Sequence, residues 1–101
     1  EAVNAGDAPW SAIGAAIAAC HGGGAHHVDL NANNILLDRG GRPWLIDWDR
    51  GRMEAGPGDW TARVLDRLER SLLKECAAAP AERLREGMAQ LRAAHARELR
   101  S

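Results

Sequence analysis

The sequence predicts an α+β fold, mainly helical with one β-hairpin. Three observations lead there: apolar residues recur at helical spacing in three separate stretches, two short apolar runs flank a Gly-containing turn, and large core side chains are scarce. The 101 residues give 46% apolar composition, but alanine supplies much of it, with no Phe, no Tyr and four tryptophans, Trp10, Trp44, Trp48 and Trp60. One small domain with a modest core is the most such a chain can build.

The first helix is expected to start at Asp7 and Pro9. Trp10, Ile13, Ile17 and Cys20 then repeat at helical spacing until Gly22, Gly23 and Gly24 stop the pattern near His21. A loop follows from His26 to Asn34. Next, Ile35-Leu36-Leu37 and Pro43-Trp44-Leu45-Ile46 flank the five-residue turn Asp38-Arg39-Gly40-Gly41-Arg42, a hairpin by residue type. Pro43 has no N–H to donate, so it should open its strand or face an edge. Residues 51–58 read as a loop. Asp59 is expected to cap a helix whose buried stripe is Trp60, Val64, Leu65, Leu68, Leu72 and Cys76. Pro80 suits the first turn of a last helix, along which Leu84, Met88, Leu91, His95 and Leu99 recur.

Composition removes several classes of function. No apolar run approaches the ~20 residues a membrane-spanning helix needs, and the longest, residues 13–20, falls well short. Two distant cysteines, Cys20 and Cys76, form neither a disulfide framework nor a zinc spacing and are expected to be reduced and structural. Cys20, His21, His26 and His27 lack any C-x-x-C or H-x-x-x-H arrangement; His21 and His26 read as solvated loop residues. Net charge is −1, divided unevenly: residues 1–59 hold four basic and eight acidic side chains, residues 60–101 nine basic and six acidic. The chain is not basic overall and its basic residues lack interleaved exposed aromatics, which argues against nucleic acid as a partner. The chain opens on Glu1 and shows no signal-peptide order of residues, so it reads as part of a longer protein.

The chemistry concentrates between His26 and Asp49. His27 and Asp29 form H-x-D, Asn34 follows five residues after Asp29, and Asp47 stands behind the apolar run Leu45-Ile46. This spacing fits the kinase catalytic-loop pattern, with its metal-binding aspartate beyond a hairpin. Five fixed positions, His27, Asp29, Leu30, Asn34 and Asp47, coincide by chance on the order of once in a million start sites at ordinary composition. The bland alternative takes Asp29 and Asn31 as turn residues and Asp47 as a strand-end cap, which leaves the joint spacing unexplained. Phosphoryl transfer asks for metal ions to neutralise phosphate charge and for a carboxylate to orient the attacking hydroxyl. Asp29 fits the second task, Asn34 and Asp47 the first, because Mg²⁺ takes oxygen ligands. The hairpin would bring Asn34, at the entry of one strand, beside Asp47, at the exit of the next.

Residues 27–31, 34–38 and 44–51, with Trp60, Leu65, Arg67, Leu68 and residues 70–74, resemble the lipopolysaccharide-core sugar kinases, in particular those acting on 3-deoxy-D-manno-octulosonic acid (Kdo). The narrower likeness rests on Asn31 two residues after Asp29, on Asp49 where protein kinases usually have Gly, and on the helix from Trp60 to Lys74. The resemblance implies the C-terminal lobe portion of a protein-kinase-like fold over residues 1–101. It implies ATP and Mg²⁺ as cofactors, a Kdo-containing lipid A precursor as acceptor, and peripheral contact with the cytoplasmic face of a Gram-negative inner membrane. In the family position of His27 the ring holds the loop and the Asp47 segment together, with Asn31 supporting the loop. Asp49, Arg50 and Arg52 are the expected further contacts to metal or substrate, the two arginines facing an anionic sugar carboxylate. Val28 stands where many protein kinases carry an arginine that pairs with a phosphorylated loop, so that form of regulation is not expected.

No Gly-rich phosphate loop and no strand lysine precede the motif, and Lys74 is the only lysine. The N-terminal lobe is therefore expected elsewhere in a parent protein, and these residues alone should turn over little. Three readings stay open: a Kdo kinase, another small-molecule kinase of the same fold such as a heptose or aminoglycoside phosphotransferase, and a non-catalytic pseudokinase-like binding fragment. The arginines of the last helix, Arg83, Arg85, Arg92, Arg97 and Arg100, are interleaved with Glu82, Glu86 and Glu98 and read as a solvated face. The sequence leaves the oligomeric state unknown.

Overall fold

A computed structural model describes residues 9–48, 51–76 and 78–100. Among them are three helices, α1 (Trp10–Gly22), α2 (Asp59–Glu75) and α3 (Ala81–Arg100), and four short strands, β1 (Ala25–His26), β2 (Ile35–Leu37), β3 (Pro43–Leu45) and β4 (Arg52–Met53). The expected α+β class and its helical majority hold. A single 3₁₀ turn, Ala32–Asn34, leads into β2.

Helix starts depend on which backbone N–H groups find partners. The Pro9 carbonyl accepts the Ile13 N–H at 3.0 Å, so Pro9 caps α1, whereas the expected start residue Asp7 lies outside the described residues. The expected Asp59 cap is corrected to Gly58, whose extended backbone stands outside the helix. Asp59 is instead the first helical residue, where the positive end of the helix dipole favours a carboxylate. Pro80 precedes α3 rather than entering it, its carbonyl accepting from Arg83 and Leu84.

The three helices supply most of the core: Trp10, Ile13 and Ile17 from α1, Val64, Leu65, Leu68 and Leu72 from α2, and Leu84, Met88 and Leu91 from α3. The period-3.6 stripes thus face inward as expected, except that Cys20 and Cys76 are only partly buried, Cys76 at the C-cap of α2, and Leu99 is half-buried. Helix α1 crosses α3 closely because glycines face the contact: a Cβ on Gly14 would overlap the Leu91 backbone, and one on Gly87 would enter the Trp10 indole. Arg92 of α3 donates to Asp66 at 3.0 Å and Glu69 at 2.8 Å, tying α3 to the outer face of α2.

The hairpin is antiparallel with Ile35 opposite Leu45, Leu36 opposite Trp44 and Leu37 opposite Pro43. Pro43 opens its strand, as its missing N–H requires. Asp38 holds the turn: its Oδ1 accepts the Gly40 and Arg42 N–H groups at 2.9 Å each, and its Oδ2 accepts the Trp44 indole N–H at 3.2 Å. Those bonds, led by the one to the Arg42 backbone, hold the Asp38 carboxyl below its ordinary value. Trp44 is 52% exposed, its face of the hairpin uncovered among the described residues.

A second ladder was not expected. The presumed loop 51–58 contains β4, which pairs antiparallel with β1, His26 opposite Arg52 and Ala25 opposite Met53. Gly24, at φ +84°, makes it possible: a Cβ there would collide with the Glu54 carbonyl, and the Glu54 N–H donates to the Gly24 carbonyl at 2.7 Å.

His21 and His26 are also corrected. His21 lies in the last turn of α1 at 1% exposure, its Nδ1 2.8 Å from Nε2 of buried His95, with the Trp60 ring edge-on at 4.7 Å. His26 stacks on Trp60 at 4.6 Å and bonds Glu54 Oε2 at 2.9 Å. Both rings fill the space where α1, the β1–β4 ladder and α2 meet. Desolvation, with His95 and His26 nearby, lowers the His21 pKa to about 4, and burial followed by Arg92 lowers that of His95.

Candidate phosphotransfer site

The residues of the loop from His27 to Asn34 are fixed from three sides. Within the loop, Asn31 Oδ1 accepts the Asn33 N–H at 2.8 Å, an Asx turn that starts the 3₁₀ segment, while Asn31 Nδ2 donates to the Asp29 carbonyl at 3.0 Å. Asn34 Nδ2 donates to that same carbonyl at 2.8 Å. Two amides thus converge on the backbone of Asp29, which sets where its carboxylate can go. Leu30, Ala32 and Ile35 anchor the loop in the core, and the Ala32 N–H donates to Ser71 Oγ of α2 at 2.9 Å.

From the other side, Ile46 does double duty. Its N–H donates to the Asn34 carbonyl at 2.9 Å, adding one rung to the hairpin beyond Ile35 and Leu45. Its carbonyl accepts from Nε2 of His27 at 2.7 Å. The acceptor is a carbonyl, so Nε2 carries the proton. His27 is 2% exposed, tilts against Trp48 at 4.5 Å, and its Nδ1 is buried with no partner among the described residues. The ring therefore makes one hydrogen bond, and it joins the loop to the segment carrying Asp47.

Asp47 follows at φ +64°, the only left-handed non-glycine residue among those described, with its side chain exposed. Such a conformation costs of order 1–3 kcal/mol and persists only where neighbours impose it; Asp and Asn tolerate it best. Here the Ile46 bonds on one side and the Trp48 indole, donating to the Leu45 carbonyl at 2.9 Å, on the other impose the bend. The expected neighbourhood of Asn34 and Asp47 is present, linked through Ile46. With its N–H₂ engaged by Asp29, the Asn34 amide turns its oxygen away from that carbonyl. An amide oxygen and a carboxylate are donors suited to a hard divalent cation. No cluster of three His, Cys, Asp or Glu side chains suited to a metal occurs among the described residues.

Asp49 and Arg50 lie outside the described residues. Arg52 sits exposed on β4 opposite His26, its Nε 4.0 Å from Glu54 Oε2, the oxygen that His26 also engages. What sequence reasoning missed is basic: Arg67 of α2 places Nη2 3.5 Å from Asp29 Oδ1. Arg63, Arg67, Arg70 and Lys74 recur at intervals of four, three and four, a spacing that could have marked them as one helix face turned to the loop. A cleft of about 290 Å³ separates Asn31 and Asn33 of the loop from Arg67, Arg70 and Lys74 of α2.

A loop that presents one carboxylate beside a hairpin carrying an amide and a second carboxylate, on a residue with left-handed backbone, offers oxygen donors suited to a hard divalent cation. The family model described as "Lipopolysaccharide kinase (Kdo/WaaP) family" matches residues 2–93, and the chain belongs to that family. Among curated proteins, it is 55% identical over 67 residues to the 3-deoxy-D-manno-octulosonic acid kinase of Xanthomonas euvesicatoria pv. vesicatoria (strain 85-10), a match covering 66% of this chain and 27% of the relative. It is 49% identical over 71 residues to the protein of the same name from Xylella fastidiosa (strain 9a5c), covering 70% and 28%. The chain thus spans little more than a quarter of the relatives it matches. No solved structure matches.

Proposed function

We propose that this chain is the portion of a lipopolysaccharide-core kinase, with the architecture of a protein-kinase C-terminal lobe, that holds the hydroxyl-orienting carboxylate and the metal-binding residues. The whole protein transfers the γ-phosphoryl group of ATP to a hydroxyl of Kdo on a lipid A precursor at the cytoplasmic face of the inner membrane. The observation that carries the reading is the convergence on Ile46: its N–H on Asn34 and its carbonyl on His27 hold the Asp47 bend against the loop that displays Asp29. Kinase-pattern spacing alone would leave these residues free to serve separate turns.

In this reading Asp29 accepts a hydrogen bond from the acceptor hydroxyl and takes its proton as the oxygen attacks the γ-phosphorus. The bond to the β-phosphate oxygen breaks and ADP leaves. Asn34 and Asp47 would hold Mg²⁺, which supplies charge neutralisation on the phosphates. Asn31 and Asn34 position Asp29 through its carbonyl. His27 transfers no proton; it keeps the two segments in register. Asp49 and Arg50 remain proposed contacts to metal or substrate.

The test is phosphate transfer from ATP by the whole protein to three acceptors: a Kdo-lipid A precursor, a heptosylated lipid and an aminoglycoside. Selective labelling of the Kdo acceptor is the expected result. Labelling only a heptose or an aminoglycoside would move the protein to another substrate class, and labelling none would support a binding role.

A further inference from the structure

Four cations of α2 lie along one stripe beside the loop. Arg63, Arg67, Arg70 and Lys74 are all exposed, and eleven intervals at 1.5 Å make the stripe roughly 16 Å long. Two clefts open along it. One lies between the stripe and His26 and Val28, lined by Arg63, Arg67 and Arg70; the other lies between the stripe and Asn31 and Asn33, lined by Arg67, Arg70 and Lys74. Arg67 and Arg70 border both, and the Asp29 carboxylate lies 3.5 Å from Arg67.

The charge on this stripe is left largely uncompensated. Asp66 and Glu69, the acids in the middle of α2, are both engaged by Arg92 on the α3 side. Among the described residues Arg63, Arg70 and Lys74 make no salt bridge, and Glu75, at the end of the second cleft, is the one acid that lines it. A row of guanidinium groups held on a rigid helix, with concave surface on both sides, suits anionic oxygens, since the planar fork matches a carboxylate with two parallel hydrogen bonds. Arg52 is poorer for the task, isolated on β4 and leaning toward Glu54.

Resting on the function proposed above, we infer that the stripe of Arg63, Arg67, Arg70 and Lys74 is the acceptor subsite. It binds the carboxylate of the sugar acid and so sets the acceptor hydroxyl against Asp29. Arg67 touches the Asp29 carboxylate and borders the site on both sides, while Arg63 and Arg70 grip the ligand without touching Asp29.

The test uses the whole protein and the Arg63→Gln/Arg70→Gln double variant, with the Kdo-lipid A precursor, its carboxyl methyl ester and its dephosphorylated form as acceptors. Loss of charge-assisted hydrogen bonds should raise the acceptor KM about tenfold or more while the KM for ATP holds, which also reports an intact fold. The methyl ester should bind the wild type about tenfold more weakly and lose little further in the variant; the dephosphorylated acceptor should keep the full dependence. Arg63→Lys/Arg70→Lys should recover part of the loss. An unchanged acceptor KM overturns the subsite. So does a loss equal for acid and ester, or one abolished by dephosphorylation, which would put lipid phosphate on the stripe. Equilibrium binding of free Kdo separates this inference from the functional reading. If no Kdo acceptor is phosphorylated, saturable binding weakened in the double variant still upholds the stripe, and absence of binding removes it.

Discussion

Nε2 of His27 donates to the carbonyl of Ile46 across 2.7 Å, and this bond ties the loop bearing Asp29 to the segment bearing Asp47. His27→Phe keeps an aromatic ring against Trp48 but leaves the Ile46 carbonyl without its partner. Burying an unsatisfied acceptor costs about 1–3 kcal/mol. Thermal melting of the whole protein should show that loss. Phosphotransfer, if the proposed function holds, should fall by about tenfold or more through misplacement of the two segments.

Asp47→Asn separates ligation from backbone strain, because Asn tolerates the left-handed conformation as Asp does. The variant should melt close to wild type yet need at least roughly tenfold more Mg²⁺ for half-maximal activity, having traded a carboxylate for a neutral amide. Asp47→Val should add of order 1–3 kcal/mol of destabilisation at the same position. Titration of Mg²⁺ against rate, beside melting curves, checks both.

The hairpin and the three helices were legible because their signals are local: a Gly-containing turn between Leu37 and Pro43, and apolar residues every three or four positions. The loop, Asn34 and Asp47 were legible for the same reason, as fixed offsets along one chain. What stayed hidden depends on distant partners. Residues 25–26 and 52–53 make a ladder of two residues a side, held by the Gly24 turn and by His26 against Trp60, and no alternating pattern announces so short a pairing. His21 looked like a loop residue because nothing near it in sequence reveals that His95, 74 positions on, supplies its hydrogen bond.

The His21–His95 pair predicts acid sensitivity. Both rings are held neutral in the fold, with pKa values lowered from 6.5, that of His21 to about 4. Above the unfolded value neither state gains a proton, and their stabilisation is fully present. As pH falls from 6.5 toward 4 the unfolded chain takes up protons that the fold refuses, and stability drops, by about 3 kcal/mol from His21 alone. Denaturant unfolding at a series of pH values reads this directly. His21→Gln should flatten the slope in that window; an unchanged slope would mean the pair titrates normally.

Gly87 accepts the Trp10 indole where α3 crosses α1. Gly87→Ala gains helix propensity of about 1 kcal/mol but forces the indole aside in a packed core, and overpacking of this kind costs roughly 1–3 kcal/mol. Net destabilisation is expected, with loss concentrated at the α1–α3 contact. Gly22→Ala, whose Cβ would meet only Leu99 at 3.9 Å, is the matched control and should change the melting temperature far less.

In the proposed function Asp29 faces the acceptor hydroxyl at a site completed by Asn34 and Asp47. Single-turnover phosphate transfer from ATP to the Kdo acceptor, by whole protein carrying Asp29→Ala, tests it most directly. The rate should fall by about 10²–10⁴ while nucleotide binding holds, the range for removing a general base. A variant that transfers phosphate at the wild-type rate would contradict it.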